Sequence, residues 1–397
     1  MPDLDGWEQA RLLRAVTRGE SVGALLAAVE RVAAGEADLP ILTALRRTWP
    51  PEVAGAALRQ ARLRGRGRAK FGDRAGELVF TADGLEQATR PLVAEHRARR
   101  YTGHGRVVDL CCGIGSDTLA LAAAGLRVLA VDSDPVAAQA CTLNAETLGV
   151  ADRVEVRVAD ATTIDLAGWP AAFCDPARRR AGRRVFDPQA FAPPWAFLTG
   201  LAARVPAVGL KLAPGLDHAL IPAGAEAEWV SVDGDVVEAA LWFGALAGPA
   251  GRRATLLPGD HRLVGPPGPP VVGPVGDWLY EPDGAVIRAG LVSTLAARLG
   301  ARLIDPRIAY LSADERVPTA YATAYRVIDR LPFGLKRLRA ALRARGVGVV
   351  TIKKRGSPVE PEWLRGQLRL SGPEHVVVVL TRVAGAPTAL LCRPPGS

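Results

Sequence analysis

Four aspartates, each closing an apolar or alternating stretch or lying just beyond it, are this sequence's candidates for a ligand site. Asp109-Leu-Cys-Cys-Gly113-Ile-Gly115 joins a short apolar run to an Ala/Leu-rich stretch. Its two glycines therefore fall at a strand-to-helix turn, where the backbone can bend sharply and approach a ligand closely. Asp132 ends the next apolar run and Asp160 ends the one after. Acids at the C-terminal ends of successive parallel strands face one crevice. There Asp132 can bind both hydroxyls of a ribose, and Asp160 can accept from the amino group of adenine. An acid four residues before Gly113 repels a pyrophosphate. Thr118 also stands where a dinucleotide fingerprint has its third glycine. The ligand that fits is a cationic nucleoside without phosphate, S-adenosylmethionine, with its ammonium and sulfonium. Each acid alone reads as a helix cap or a loop solubiliser; the set reads as a site. With the neighbours Cys111, Ser133 and Ala161, the expected cofactor positions of this crevice are Asp109, Cys111, Gly113, Gly115, Asp132, Ser133, Asp160 and Ala161.

The fourth acid opens Asp175-Pro176-Ala177-Arg178 at the end of the fourth apolar run, where a transferred methyl group should point. Amino-group methyltransferases carry Asp/Asn-Pro-Pro-aromatic here. Its carboxylate and a backbone carbonyl accept from the target amine while the aromatic stacks on the base. The first two positions match and the last two do not; Arg178 can stack on a base or hold a phosphate. Asp175, Pro176 and Arg178 are the expected catalytic residues. Cys111 and Cys112 read as space-fillers within the turn rather than nucleophiles, and Asp117 as either a helix cap or a ligand contact. The five histidines lack metal-ligand spacing, so no metal is expected.

These residues need a particular set of elements behind them. Strands are expected at Arg106–Leu110, Leu126–Val131, Val154–Val158, Ala171–Cys174 and Val208–Leu212. Helices are expected at Ser116–Ala124 and from Asp134-Pro135 to about Leu148. Strands alternating with helices imply a parallel sheet covered on both faces. Asp233-Gly234 between Trp229–Val232 and Val236–Phe243 is a hairpin signal. An α/β sheet closing on an antiparallel hairpin fits a class I methyltransferase rather than a dehydrogenase. Before it, residues 1–100 read as a helical, basic domain with a helix from Leu85 to about Arg100, kinked or restarted at Pro91. After it, residues 248–276 hold seven prolines and seven glycines without a period of three, which excludes collagen and marks a linker or irregular hairpin. A second α/β unit follows, with helices at Val286–Leu299 and Leu335–Arg345 and strands at Val347–Lys353, Val376–Thr381 and Thr388–Cys392. The expected domains are 1–100, 101–247, a linker 248–279 and 280–397.

Composition narrows the setting. No run of eighteen apolar residues predicts a membrane span, the acidic start lacks a signal-peptide pattern, and five unpaired-looking cysteines suit a reduced, cytoplasmic protein. Net charge is +9, and 45 of the 50 basic residues are arginine, lysine occurring at five positions only. A GC-rich genome explains arginine replacing lysine, but not the excess of bases over acids. The bases cluster at Arg59–Arg74, at Arg178–Arg184 and at Lys336–Arg345 with Lys353–Arg355, which points to a nucleic-acid partner.

Asp109-Leu-Cys-Cys-Gly-Ile-Gly, Asn144-Ala145, Val158-Ala-Asp160 and Asp175-Pro-Ala-Arg resemble bacterial class I S-adenosylmethionine-dependent methyltransferases with a C-terminal THUMP-like domain. Phe80-Thr81 with Gly84–Thr89 is similar to that family's pre-core segment, which implies that Gln87 and Thr89 contribute to the cofactor pocket. Tyr280-Glu281-Pro282-Asp283, Ile287–Gly290 and Ile352-Lys353-Lys354-Arg355-Gly356 are similar to its C-terminal domain. The core also resembles, distantly, RNA cap guanine-N2 methyltransferases. The resemblance implies a Rossmann-like sheet, an N-terminal helical domain and a C-terminal α/β domain, and methylation of an exocyclic amine of an RNA base in tRNA or rRNA. The alternatives are a protein or small-molecule methyltransferase, or a non-catalytic S-adenosylmethionine- or RNA-binding protein. Uridine-C5 chemistry needs a downstream cysteine, and none lies between Asp175 and residue 247.

Overall fold

The structure, a computed structural model, describes residues 5–176, 179–180, 183–184, 191–249, 251–269 and 271–393. They divide into two compact units. The first comprises residues up to Leu212 with His218–Ala225 and Ala240–Ala247; the second comprises Ala213–Asp217, Glu226–Ala239 and the residues from Gly248 onward.

Six helices open the first unit: α1 (Gly6–Arg18), α2 (Val22–Ala33), α3 (Asp38–Leu45), α4 (Pro51–Phe71), α5 (Ala82–Gln87) and α6 (Pro91–Arg100). Their ends follow local chemistry. Asp5 and Glu8 cap α1 reciprocally, and proline occupies the first turn of α4 and α6, where its missing N–H is no loss. The helix expected from Leu85 onward is thus two helices, α5 stopping at Gln87 and α6 restarting at Pro91. The strands are β1 (Arg106–Leu110), β2 (Arg127–Asp132), β3 (Val154–Val158), β4 (Ala171–Cys174), the two-residue pair β5 (Arg179–Arg180) and β6 (Arg183–Arg184), and β7 (Ala207–Leu212). Helices α7 (Ser116–Ala123), α8 (Pro135–Thr147) and α9 (Trp195–Gly200) lie between them. The sheet runs β7-β4-β1-β2-β3, all parallel, with the second half of β9 (Asp235–Gly244) beside β7. Phe173, Val107, Ala207, Tyr101 and Trp242 fill its core. The helical stretch shares a core with this sheet: Leu13, Leu63 and Phe80 pack with Ile114, Ala140 and Leu143. Asn144, buried on α8, ties the two together by accepting from Val79 N at 2.7 Å and donating to the carbonyls of Val79 and Ile114 at 3.0 Å.

In the second unit, β8 (Glu226–Val232) turns into β9 through Asp233 and Gly234, both at positive φ, the type I′ geometry that the Asp-Gly pair favours. β10 (Arg252–Leu257) lies parallel to β8, and β11 (His261–Val264) antiparallel to β10, so the Pro/Gly-rich stretch contains a hairpin. A seven-stranded sheet follows, built from β12 (Trp278–Pro282), β13 (Arg302–Asp305), β14 (Ile308–Ala313), β15 (Ala322–Pro332), β16 (Val347–Lys354), β17 (Glu374–Val383) and β18 (Ala386–Cys392). Its order is β13-β14-β12-β15-β18-β17-β16. Helices α12 (Leu335–Ala344) and α13 (Pro361–Leu368) cover one face. The helix expected over Val286–Leu299 is broken in two, α10 (Gly284–Arg288) and α11 (Val292–Leu299), because Gly290 turns to φ 73° between them. The sheet curls on itself: Ala384 N, at the β17–β18 turn, donates to Ile304 O at 3.0 Å, and Gly385 N to Asp305 Oδ2 at 2.8 Å.

Replacing Asn144 with Ala leaves one buried N–H and two carbonyls without their partner. Each orphaned group costs about 1–3 kcal/mol. Denaturant unfolding should therefore show a stability loss above about 3 kcal/mol, and residues 78–80 should lose hydrogen-exchange protection.

Candidate active site

The turn after β1 is built from left-handed backbone: Cys111 has φ 64°, Gly113 φ 55° and Gly115 φ 90°. A side chain at Gly115 would also meet Cys141 Sγ at 2.7 Å, so this position needs glycine for its space as well as its φ. Gly113 N donates to Asp132 Oδ2 at 2.8 Å and Asp134 N to Asp132 Oδ1 at 2.9 Å, which locks the end of β2 against the turn. Asp160 accepts from both Thr162 N and Thr162 Oγ1 at 2.8 Å. Those bonds hold its carboxyl below the usual range.

Two adjoining depressions open over the strand ends, with Cys111 and Asp132 lining both. The first, about 180 Å³, is bounded by Gln87, Thr89, Gly113, Asp117 and Asp175. The second, about 310 Å³, is bounded by Ser133, Asp160, Ala161 and Phe191. Most of the sequence-predicted residues therefore converge on one trough. Asp109 and Gly115 do not line it: Asp109 is buried beneath the turn, where Thr118 Oγ1 donates to its Oδ2 and its Oδ1 has no partner among the described residues. Burial pushes the Asp109 carboxyl well above the usual carboxylate range, reinforced by the neighbouring charges of Asp117 and Asp175. Burial likewise raises that of Asp132, against the pull of its backbone donors. Pro176 is buried outside the lining, and Arg178 falls outside the described residues.

Asp117 is not a helix cap. Gly115 occupies the N-cap position of α7, and the Asp117 carboxylate is paired with Arg97 while accepting from Thr89 Oγ1 at 2.6 Å. Arg97 also lies over the Phe173 ring, 4.6 Å from its centroid. Lys211, only 5% exposed on β7, completes a chain of buried polar groups. It donates to Thr89 Oγ1 at 2.9 Å, to Gln87 O at 3.3 Å and to Asp175 Oδ2 at 2.5 Å. The sequence signal for Lys211 is a single charge inside Val208-Gly-Leu-Lys-Leu212, an otherwise apolar run; a lysine buried there must find a partner. Arg97 carries no such local signal.

The basic clusters separate into structural and exposed members. In the first, Lys70 donates to the carbonyls of Leu85, Glu86 and Ala88 at 2.7–3.0 Å, and so holds the end of α5. Burial, with Lys211 and Arg90 nearby, lowers its ammonium to about 8. Arg62 is paired with Asp38, and Arg64 donates to the carbonyls of Leu78 and Glu77. These three are therefore internal ties rather than members of a phosphate-facing patch. Arg59, Arg66, Arg68 and Arg74 remain exposed, and in the third cluster so do Lys336 and Arg337. The side chains of the Arg178–Arg184 cluster lie outside the described residues.

Comparison with known proteins fits this layout. A "Methyltransferase domain" family model matches residues 107–174, a "THUMP domain-like" model residues 322–394, and a domain of unknown function residues 23–67. Two Mycobacterium tuberculosis proteins, from strains CDC 1551 and H37Rv, are each 38% identical over 364 residues. The match covers 82% of this chain and 99% of theirs, and both are named uncharacterized S-adenosylmethionine-dependent methyltransferases. The crystal structure of a Porphyromonas gingivalis W83 chain assigned as a methyltransferase shares the fold over the full length of both chains, with TM-score 0.75 at 20% identity.

Asp109 supplies a test of these electrostatics. Its raised folded-state carboxyl contributes stability that is present at low pH and is lost as pH rises through the folded value. Asp109→Asn keeps an acceptor for Thr118 and removes the titration. Melting curves from pH 5 to 8 should show the variant gaining on the wild type as pH rises; parallel curves would refute the assignment.

Proposed function

The chain belongs to the S-adenosylmethionine-dependent methyltransferases, and from that premise we propose that it methylates an exocyclic amine of an RNA base, in tRNA or rRNA. The observation that carries the reading is the acidic trough ending at Asp175. Its wall holds Asp117, Asp132 and Asp175 above the buried Asp109, while the inner cations Arg97 and Lys211 are both engaged by carboxylates. Such a site suits a ligand with two positive charges and no phosphate.

On this reading Asp132 holds the ribose hydroxyls, with Ser133 and Cys111 beside it. Asp160, Ala161 and Phe191 flank the adenine. Gly113, Gln87 and Thr89 face the amino-acid end, and Asp109 and Gly115 act from beneath by shaping the turn. Bound there, the cofactor supplies a methyl group already activated by its sulfonium leaving group, so the protein contributes chiefly position. Lys211 occupies one oxygen of Asp175 and leaves the other to accept from the target amine, directing the nitrogen lone pair at the methyl. Arg178 is assigned to the base or a phosphate of the acceptor on sequence alone. The THUMP-like match, the net charge of +9 and the exposed arginines support RNA as that acceptor. Ala177-Arg178 in place of Pro-aromatic favours the second reading, a protein or small-molecule acceptor or a protein without turnover.

Radiolabelled S-adenosylmethionine incubated with total RNA from a deletion strain, followed by nucleoside mass spectrometry, decides between these. Label in an N-methylated nucleoside is expected; label in protein, or none, overturns the RNA reading. Asp175→Ala should reduce transfer at least about a hundredfold while cofactor affinity stays within a few-fold.

The cofactor assignment has its own test. Asp132→Ala should weaken binding by about 1–3 kcal/mol in calorimetry. As pH falls, Asp132 and Asp109 take up protons above the ordinary carboxylate range. The preference for S-adenosylmethionine over the uncharged-sulfur S-adenosylhomocysteine should therefore shrink from pH 8 to pH 5. A constant ratio would refute it.

A further inference from the structure

The two C-terminal motifs noted in the sequence, Glu281-Pro-Asp283 and Lys353-Lys-Arg355, lie 72 residues apart, at the end of β12 and at the end of β16. The curl of the sheet brings them together. Lys353 Nζ donates to Glu281 Oε2 at 2.5 Å, and the guanidinium of Arg355 sits 5.3 Å from the centroid of the Tyr310 ring on β14. Around them is a pocket of about 390 Å³ within the second unit, walled by Glu281, Asp283, Lys353 and Arg355. Gly234, Gly284, Ala320 and Ala322 leave it open, and a Cβ at Gly284 would already meet Val236 at 2.5 Å. The volume falls at the small end of small-molecule sites, about 300–1,000 Å³, and suits one nucleotide rather than a duplex or a protein segment.

The charges of this pocket are not equivalent. Glu281 is saturated by Lys353 and by the hydroxyls of Tyr325 at 3.2 Å and Tyr310 at 3.5 Å, so this acid and this base cancel. Arg355 is half-buried with its guanidinium carbon 5.3 Å from the Tyr310 ring centroid, and its guanidinium makes no hydrogen bond or ion pair among the described residues. A cation over an aromatic ring keeps its N–H donors, and this one lines the pocket with a fork of donors matched to phosphate. Asp283, whose Oδ1 caps α10 through Ala285 N at 2.7 Å, adds a carboxylate to the same wall. A bare anion is repelled by that acid. A ribonucleotide is not, because its 2′-hydroxyl donor lies next to its 3′-phosphate, which deoxyribose cannot offer.

We propose that this pocket holds one ribonucleotide of an RNA strand, its phosphate on Arg355 and its ribose hydroxyl on Asp283, and so selects RNA over DNA. The identity of the strand rests on the RNA reading above; the phosphate site does not. The test uses the full chain without methyl donor and a fluorescent single-stranded RNA dodecamer, with DNA of the same sequence and millimolar AMP as comparisons. Arg355→Gln should weaken RNA binding at least about fivefold and lower the salt slope by about one, with Arg355→Lys intermediate. Asp283→Asn, which keeps the helix cap, should bring RNA affinity toward the DNA value. An S-adenosylhomocysteine-induced melting shift verifies that each variant is folded. Wild-type RNA affinity and salt slope in Arg355→Gln, or equal wild-type affinity for RNA and DNA, overturns the proposal. AMP binding that is lost in Arg355→Gln while RNA affinity is untouched by that substitution would assign the phosphate site to a free nucleotide and overturn the strand. Because no methyl group is transferred in this assay, its failure leaves methylation of RNA standing, and unmethylated RNA leaves this assay standing.

Discussion

A carboxylate taken out of water has to be answered by a cation or by hydrogen-bond donors, and the first unit is arranged around that demand. Arg97, Asp117, Thr89, Lys211 and Asp175 form one continuous run of buried or half-buried polar groups in which every contact joins a donor to an acceptor. The run begins on α6 and ends at the tip of β4, so it fixes a helix outside the sheet relative to the carboxylate at its edge. Asp109 lies beneath the turn with its second oxygen unanswered among the described residues, and burial accordingly favours its protonated form.

The short stretch from Leu78 to Thr89 shows how such a wall is held without a long element of its own. Asn144 grips its start by three hydrogen bonds. Gln60 brackets Phe80, donating to its carbonyl at 2.5 Å and accepting from its N–H at 3.2 Å. Lys70 takes three carbonyls at the end of α5, and Lys211 takes Gln87 O and Thr89 Oγ1. Two lysines, in a chain whose basic residues are otherwise almost all arginine, hold this one segment: Lys70 with three donors, and Lys211 with two while its third goes to Asp175. A compact ammonium donates in three directions to carbonyls that surround it; a planar fork cannot.

Continuous apolar runs made β1, β2, β4 and β7 legible, because parallel strands buried on both faces read that way, while β3, at the sheet edge with every second residue exposed, was legible from its alternation. The Asp-Gly turn announced the β8–β9 hairpin. Acids at strand ends were legible for the same reason, since Asp132, Asp160 and Asp175 each end or just follow a run of apolar residues. What escaped was set by tertiary partners. Arg97 sits in a tail of arginines with nothing local to single it out, and Lys70 looked like a surface base until its three carbonyls were seen. Asp109 looked like a ligand contact, whereas the turn folds over it. In the second unit, β15 carries a mixed, half-buried pattern, β13 is only four residues long, and the continuous helix expected over Val286–Leu299 ignored what Gly290 does at positive φ.

The position of β18 between β15 and β17 has a consequence for synthesis. The strand made after all its neighbours is an interior one, hydrogen-bonded on both edges. Until Ala386–Cys392 has cleared the ribosome, β15 and β17 both present open edges, and the apolar faces of Val377, Val379 and Leu380 wait for Leu390 and Leu391. The first unit has most of its chain available long before that moment. A chain truncated just short of residue 386 therefore exposes the edges of β15 and β17, which are prone to pairing with another molecule.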